Sequence, residues 1–289
     1  MARLLPLTVL ATSLLPTASA WGSMGHATVA YIATNFVAPE TKTYMQQLLG
    51  DTSDDYLATV SSWADSYRYT TEGAFTSTFH YIDALDDPPH SCGIDLERDC
   101  GPTGCIVSAL ANYTSRMLLP ELDLAQRQIA AKMVIHFTGD IGQPLHCENL
   151  EAGGNGIPVE FNGTGTNLHA AWDTNIPQSI TGSGSPLPVA KEWASALSTQ
   201  INSGDFKSAA NCWVQGLDLE DPEGTAVQWA TESNAFVCTV VLPEGREAVE
   251  GLDISGAYTT SAQPTVSMQI AKQGFRLAKW LDAIVAEVA

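Results

Sequence analysis

Five of the chain's six histidines recur with aspartates in the order His26, Asp65, His80, His136, Asp140, His146, His169 and Asp173. Imidazole nitrogen and carboxylate oxygen are donors that zinc takes, so this grouping is the strongest chemical signal in the sequence. His136 and Asp140, like His169 and Asp173, are four residues apart. On a helix, that spacing puts both side chains on one face, one turn apart, where they can close on a single ion. Such a pair on a polar face is commonly a surface contact, but here Met133 and Phe137 make the surroundings apolar. The sixth histidine, His90, follows Pro88-Pro89 and reads as a solvent-facing loop residue.

These side chains have to be brought together by helices. Ile129, Met133, His136, Phe137 and Asp140 share one helical face, so the candidate ligands lie on an apolar stripe where buried polar groups need partners. Pro144 then breaks the helix, and His146 approaches from a new direction. His26 shares a face with Val29, Ala30, Ala33 and Val37. Ile270, Leu277, Leu281 and Ile284 mark the core side of a long C-terminal helix. Loops rich in Gly, Pro and Asp separate these segments, around Asp86-Asp87-Pro88-Pro89, Glu151 to Gly156, and Thr181 to Pro186. Ile157 to Phe161 alternates enough for a short strand, half of a small hairpin, with Pro158 confining it to an edge. The expected fold is mainly α, one helical domain over residues 21–289, with at most a small β-hairpin.

Residues 1–20 carry Arg3, an apolar stretch and the small-residue ending Ala18-Ser19-Ala20, the pattern of a secretory signal peptide. Cleavage after Ala20 would free the α-amine of Trp21, five residues before His26. A secreted, extracellular protein without a membrane span is expected. The net charge of −19 argues against binding nucleic acid through a broad basic surface, so an anionic substrate must be attracted locally. Six cysteines allow 15 pairings. Cys100 and Cys105 bracket a turn-rich segment and can close a small loop. Asn112-Tyr113-Thr114 and Asn162-Gly163-Thr164 fit the N-glycosylation acceptor and predict exposed asparagines.

The segment His136-Phe137-Thr138-Gly139-Asp140-Ile141-Gly142-Gln143-Pro144-Leu145-His146 is joined by four others: Trp21-Gly22-x-x-Gly25-His26, Ser62-Trp63-Ala64-Asp65, Phe79-His80-Tyr81-Ile82-Asp83 and Asn167-Leu168-His169-x-x-Trp172-Asp173. Together, in this order, they closely resemble the fungal S1/P1 nuclease family, from Trp21 to the C-terminal helix. The resemblance implies a helical fold shared with zinc phospholipase C. It implies three zinc ions and hydrolysis of single-stranded DNA and RNA to 5′-phosphorylated products, with 3′-nucleotidase activity. One zinc would be held by Asp65, His80, His136 and Asp140, a second by His146, His169 and Asp173, and a third by His26, the bridging Asp140, and the amine and carbonyl of Trp21.

On that reading, zinc lowers the pKa of water enough to supply hydroxide for in-line attack on phosphorus, with Asp65 orienting it. Arg68, one turn after Asp65, would neutralise charge in the transition state. Tyr81 would stack on a base and Asp83 would accept a hydrogen bond from a base edge, with Asn155 and Gly153 adding contacts; stacking tolerates every base. The resemblance implies the disulfides Cys92–Cys238 and Cys100–Cys105. It leaves Cys147 and Cys212, for which we expect a third bridge, a free thiol being the alternative. No stable protein partner is implied, and a monomer is expected. Two rival readings remain: a zinc phospholipase C-type phosphodiesterase, which Tyr81, Asp83 and Asn155 disfavour, and a secreted zinc-binding protein without turnover, which Arg68 and the three-ligand zinc disfavour.

Overall fold

Ser23–Phe36 forms the first helix, α1, in the computed structural model, which describes residues 21–288; the expected signal peptide lies outside the described residues. There follow α2 (Pro39–Leu49), α3 (Trp63–Tyr67), α4 (Leu96–Asp99), α5 (Ile106–Met117) and α6 (Leu124–Asp140). A hairpin of β1 (Pro158–Phe161) and β2 (Thr164–Asn167) precedes the short α7 (Leu168–Ala170) and α8 (Ile176–Thr181). The chain closes with α9 (Pro186–Ser203), α10 (Lys207–Trp213), α11 (Pro222–Phe236) and α12 (Ala257–Val288). The fold is mainly α, as expected.

Local chemistry sets several of these boundaries. The side chain of Asp123 accepts from the Gln126 amide at 2.8 Å and caps α6; Asp221 caps α11 in the same way through the Gly224 amide at 2.9 Å. Each satisfies one of the amides that a helix start leaves without a partner. α2, α9 and α11 also carry proline in their first turn, where no donor is lost.

α12 runs along α1, and the crossing is close: a Cβ on Gly274 would fall 2.5 Å from the Cβ of Ile32. α9 covers another side of α1, and α5 packs on α6. Ile270, Leu277, Leu281 and Ile284 are fully buried, as the sequence pattern requires. Trp21, Trp172, Trp229 and Trp280 are also buried. Trp229 and Trp280 meet edge-on at 5.6 Å, a preferred aromatic geometry.

α6 departs from the expected single stripe. From Met133 to Asp140 every residue is buried, so the helix end that carries the candidate ligands is enclosed on all sides and functions as a core element.

The hairpin is antiparallel, with Pro158 opposite Asn167 and Phe161 opposite Thr164. Its two-residue turn is Asn162-Gly163, at φ 51° and 71°, and Asn-Gly is the composition that such turns favour. Asn112 and Asn162 are both exposed. Cys92 bonds to Cys238 and Cys100 to Cys105. The expected third bridge is not formed. Cys147 is buried next to His146, its Sγ directed at the Ile141 carbonyl, while Cys212 is exposed on α10. Among the described residues no helix is long and apolar enough to cross a membrane.

Candidate metal centre

Six elements deliver the ligand candidates to the C-terminal end of α6. His136 and Asp140 are its last turn, and the negative end of the helix dipole favours cations there. α1 supplies His26 and α3 supplies Asp65, with Arg68 at its C-cap. A 3₁₀ turn, Ala74–His80, ends on His80. A second, Pro144–Cys147, carries His146. α7 and the π-helical turn Ala171–Asn175 hold His169 and Asp173.

Asp140 is fully buried and divides its two oxygens between neighbours. Oδ1 lies 3.0 Å from His26 Nε2. Oδ2 lies 3.1 Å from both His80 Nδ1 and His136 Nε2. Asp65 Oδ1 stands 3.6 Å from His136 Nε2 and 3.8 Å from His80 Nδ1. The His26 and His136 rings stack at 4.0 Å. A separate group forms at the helix break, where His146 Nε2 and His169 Nε2 are 3.1 Å apart and Asp173 Oδ2 is 3.2 Å from His169 Nε2. Three ligand sets emerge: His26, Asp65 and His136; His80, His136 and Asp140; and His146, His169 and Asp173.

The outer faces of the imidazoles settle which nitrogens point inward. His136 Nδ1 lies 2.7 Å from the Ser61 carbonyl, His146 Nδ1 2.7 Å from the His80 carbonyl, and His169 Nδ1 2.6 Å from the Gly153 carbonyl. A carbonyl only accepts, so each Nδ1 carries a proton and each Nε2 is the nitrogen that faces the cluster. His26 Nε2, Asp140 Oδ1 and Asp173 Oδ2 are buried without a hydrogen-bond partner of proper geometry. Two donors at about 2.0–2.1 Å from one tetrahedral zinc sit about 3.3 Å apart. The observed separations of 3.0–3.2 Å therefore suit ligands facing a shared cation, and the donor set of imidazole and carboxylate suits zinc.

Burial opposes charge on His136, yet the carboxylates of Asp140 and Asp65 overcome it and push its pKa up to about 9. Burial dominates at His80 and brings it down to about 4. Desolvation also works against ionisation of Asp140, but the imidazoles of His136 and His26 hold its carboxyl well below the ordinary range. Without metal, this site balances its carboxylates with protons, and a cation that binds must displace them.

Two residues that the histidine–aspartate pattern does not flag make room for the cluster. A Cβ on Gly139 would lie 2.9 Å from His26 Nδ1, so the ring of His26 rests directly on the backbone of α6. Gly153, at φ +61°, leaves only 2.6 Å between its would-be Cβ and the Leu145 carbonyl. No local pattern marks the need for glycine at either position.

A cleft of about 290 Å³ opens onto the cluster, lined in part by Arg68, His80, Tyr81, Asp83, His146 and Asn155. Arg68 Nη2 stands 3.7 Å from Asp65 Oδ1. Tyr81 and Asp83 are half-buried; burial raises the Asp83 carboxyl pKa, with Asp99 adding to the effect. Gly153 and Asn155 line the same wall, and the Asn155 amide donates to the Ala152 carbonyl at 2.8 Å. A larger hollow of about 640 Å³ lies along the hairpin, but it contains no imidazole and shares only Asn155 with the cleft. His90 is exposed and lines neither hollow.

A mainly helical fold that gathers buried imidazoles and carboxylates around one helix end, beneath an open cleft, defines a helical protein with a candidate multinuclear metal centre. The chain belongs to the S1/P1 nuclease family, whose sequence profile matches residues 21–286. It is 47% identical to "Nuclease S1" of Aspergillus oryzae over 287 residues, covering 99% of each chain. It is 45% identical to "Nuclease P1" of Penicillium citrinum, over 91% of this chain and 97% of that one. "Endonuclease 4" of Arabidopsis thaliana is 32% identical, over 94% and 92%. Among solved structures, the α-toxin of Clostridium perfringens superposes with a TM-score of 0.45 at 11% identity, over 93% of this chain and 65% of that one, too loose a likeness to decide between activities.

Proposed function

We propose that this protein is a secreted, zinc-dependent nuclease that hydrolyses phosphodiester bonds of single-stranded DNA and RNA, leaves 5′-phosphorylated products and also removes phosphate from 3′-nucleotides. The observation that carries the reading is Asp140, one carboxylate divided between His26 and the His80/His136 pair, in a chain that matches its fungal nuclease relatives over nearly its whole length. We assign three zinc ions. His80, His136, Asp65 and Asp140 would hold one, and His146, His169 and Asp173 a second. His26, Asp140 and the terminal amine and carbonyl of Trp21, exposed by leader removal, would hold the third.

Zinc bound in these sets supplies positive charge for a phosphate and acidifies water near neutral pH. The chain's own groups do the rest. Asp65, 3.7 Å from the cleft-lining Arg68, orients the attacking water and takes its hydrogen bond. Arg68 reaches the same cleft and balances negative charge that grows on phosphorus oxygens. The plane of Tyr81 receives an unpaired base, and the Asp83 carboxyl meets that base's polar edge, with Gly153 and Asn155 alongside. A base held in a duplex is stacked on its neighbours and has no free face to offer, which favours single strands. The acidic exterior matters less than the local field, because low-dielectric walls focus the charge of the centre.

The test is release of acid-soluble 5′-nucleotides from denatured DNA by zinc-loaded protein, beside diglyceride release from lecithin. Nucleotide release alone supports the assignment. Diglyceride release alone would favour a phospholipase, and no turnover by a zinc-replete sample would favour a binding protein.

A further inference from the structure

Gln143 lies between two ligand-bearing segments and is fully buried. Its amide orientation is fixed by chemistry: the Leu145 backbone N–H can only donate, and it lies 2.6 Å from Oε1. Nε2 is therefore the end that donates to Asp173 Oδ1, at 2.7 Å. The other carboxylate oxygen, Oδ2, faces His169 Nε2 at 3.2 Å, while Oδ1 stands 3.9 Å from His146 Nε2. The Gln143 backbone amide meanwhile donates to the Asp140 carbonyl at 2.9 Å, and its own carbonyl accepts from the His146 amide at 3.0 Å. The Asp173 carbonyl is anchored separately by the Gly22 amide at 2.9 Å. One residue thus spans the break between Asp140 and His146 through its backbone and reaches across to Asp173 through its side chain.

We propose that Gln143 is a positioning residue for the metal centre, holding Asp173 as a one-oxygen ligand by occupying Oδ1 and leaving Oδ2 for the ion shared with His146 and His169. A carboxylate free to rotate would offer both oxygens and fill positions at that ion. Constrained to one, it leaves the ion with three protein donors and open positions, the arrangement that admits substrate. Outer hydrogen bonds of this kind typically change metal affinity or activity 10–100-fold. The inference rests on the zinc reading above and specifies how one of its sites is kept open.

Two substitutions separate this role from simple turn-shaping. Gln143→Glu keeps an acceptor for the Leu145 amide but loses the donor to Asp173, whereas Gln143→Leu loses both. Zinc content would be followed by elemental analysis during chelator titration, together with the melting temperature of metal-stripped protein. The expected result is that in both variants one class of zinc leaves at 10–100-fold lower chelator concentration, the remaining zinc behaves as in the parent, and the stripped Gln143→Glu protein melts as the stripped parent does. Parental retention of every ion in Gln143→Glu would overturn the proposal. So would uniform weakening of all ions accompanied by a lower melting temperature of the stripped variant. A parent that binds no zinc would instead refute the underlying zinc reading.

Discussion

His146 and His169 point their Nε2 atoms at each other across 3.1 Å while each Nδ1 is committed to a backbone carbonyl. Two neutral imidazoles so arranged would face lone pair to lone pair. A proton or a metal cation has to sit between them, and the nearby Asp173 carboxylate supplies the third donor of a zinc set.

Asp140 serves both halves of the larger cluster, whereas His26 serves one. Asp140→Asn should lower kcat by at least 100-fold and remove more than one zinc equivalent, while His26→Ala should lose no more than one. Equal losses of zinc and activity in the two variants would argue against a bridging carboxylate.

Gly139→Ala adds a methyl group 2.9 Å from His26 Nδ1, on a rigid, buried helix. Overpacking of this type typically costs about 1–3 kcal/mol. The variant should fold with a lowered melting temperature and lose zinc selectively from the His26 side. Parental zinc affinity would show that the ring can move aside.

Arg68 stands at the cleft without being a metal ligand in the proposed scheme. Arg68→Ala should therefore retain the parental zinc content and lose about 100–1,000-fold in kcat, the scale seen when one charge-stabilising donor is removed. A comparable loss of zinc would reassign Arg68 to a supporting role through Asp65, 3.7 Å away.

Acid should weaken zinc binding. The carboxylates around His136 raise its pKa to about 9 in the metal-free site, so the proton is held across the neutral range and zinc must displace it. Below that value, apparent affinity should fall about tenfold per pH unit for this proton, and more steeply once aspartates protonate. Calorimetry in buffers of different ionisation enthalpy should report proton release on zinc binding at pH 7. Zinc binding without proton release would contradict this.

The ligand set was legible because its donors are chemically rare and spaced by helical turns: the two His–Asp pairs at four residues are both close pairs in space, at 3.1 and 3.2 Å. The break at Pro144 and the C-terminal helix core were equally readable. Other features depend on what lies across the fold. The need for glycine at 139 comes from His26, more than a hundred residues earlier, and no local pattern announces it. The stripe read on α6 understated its enclosure, because periodicity reports one apolar face and cannot count the neighbours that cover the others. The Asn162-Gly163 hairpin turn is a local signal, but the same residues also fit a glycosylation acceptor, and that motif masks the turn. Pairing Cys147 with Cys212 because the other four cysteines are taken ignores that one is buried beside a ligand and the other lies exposed on α10.

The central claim is that these imidazoles and carboxylates enclose divalent metal. Anomalous diffraction at the zinc edge, on crystals of the processed protein beginning at Trp21, tests it most directly. Three zinc peaks are expected, one beside His146, His169 and Asp173 and two sharing Asp140. Density showing these side chains closed on one another through hydrogen bonds alone, in protein that still cleaves single-stranded DNA, would contradict it.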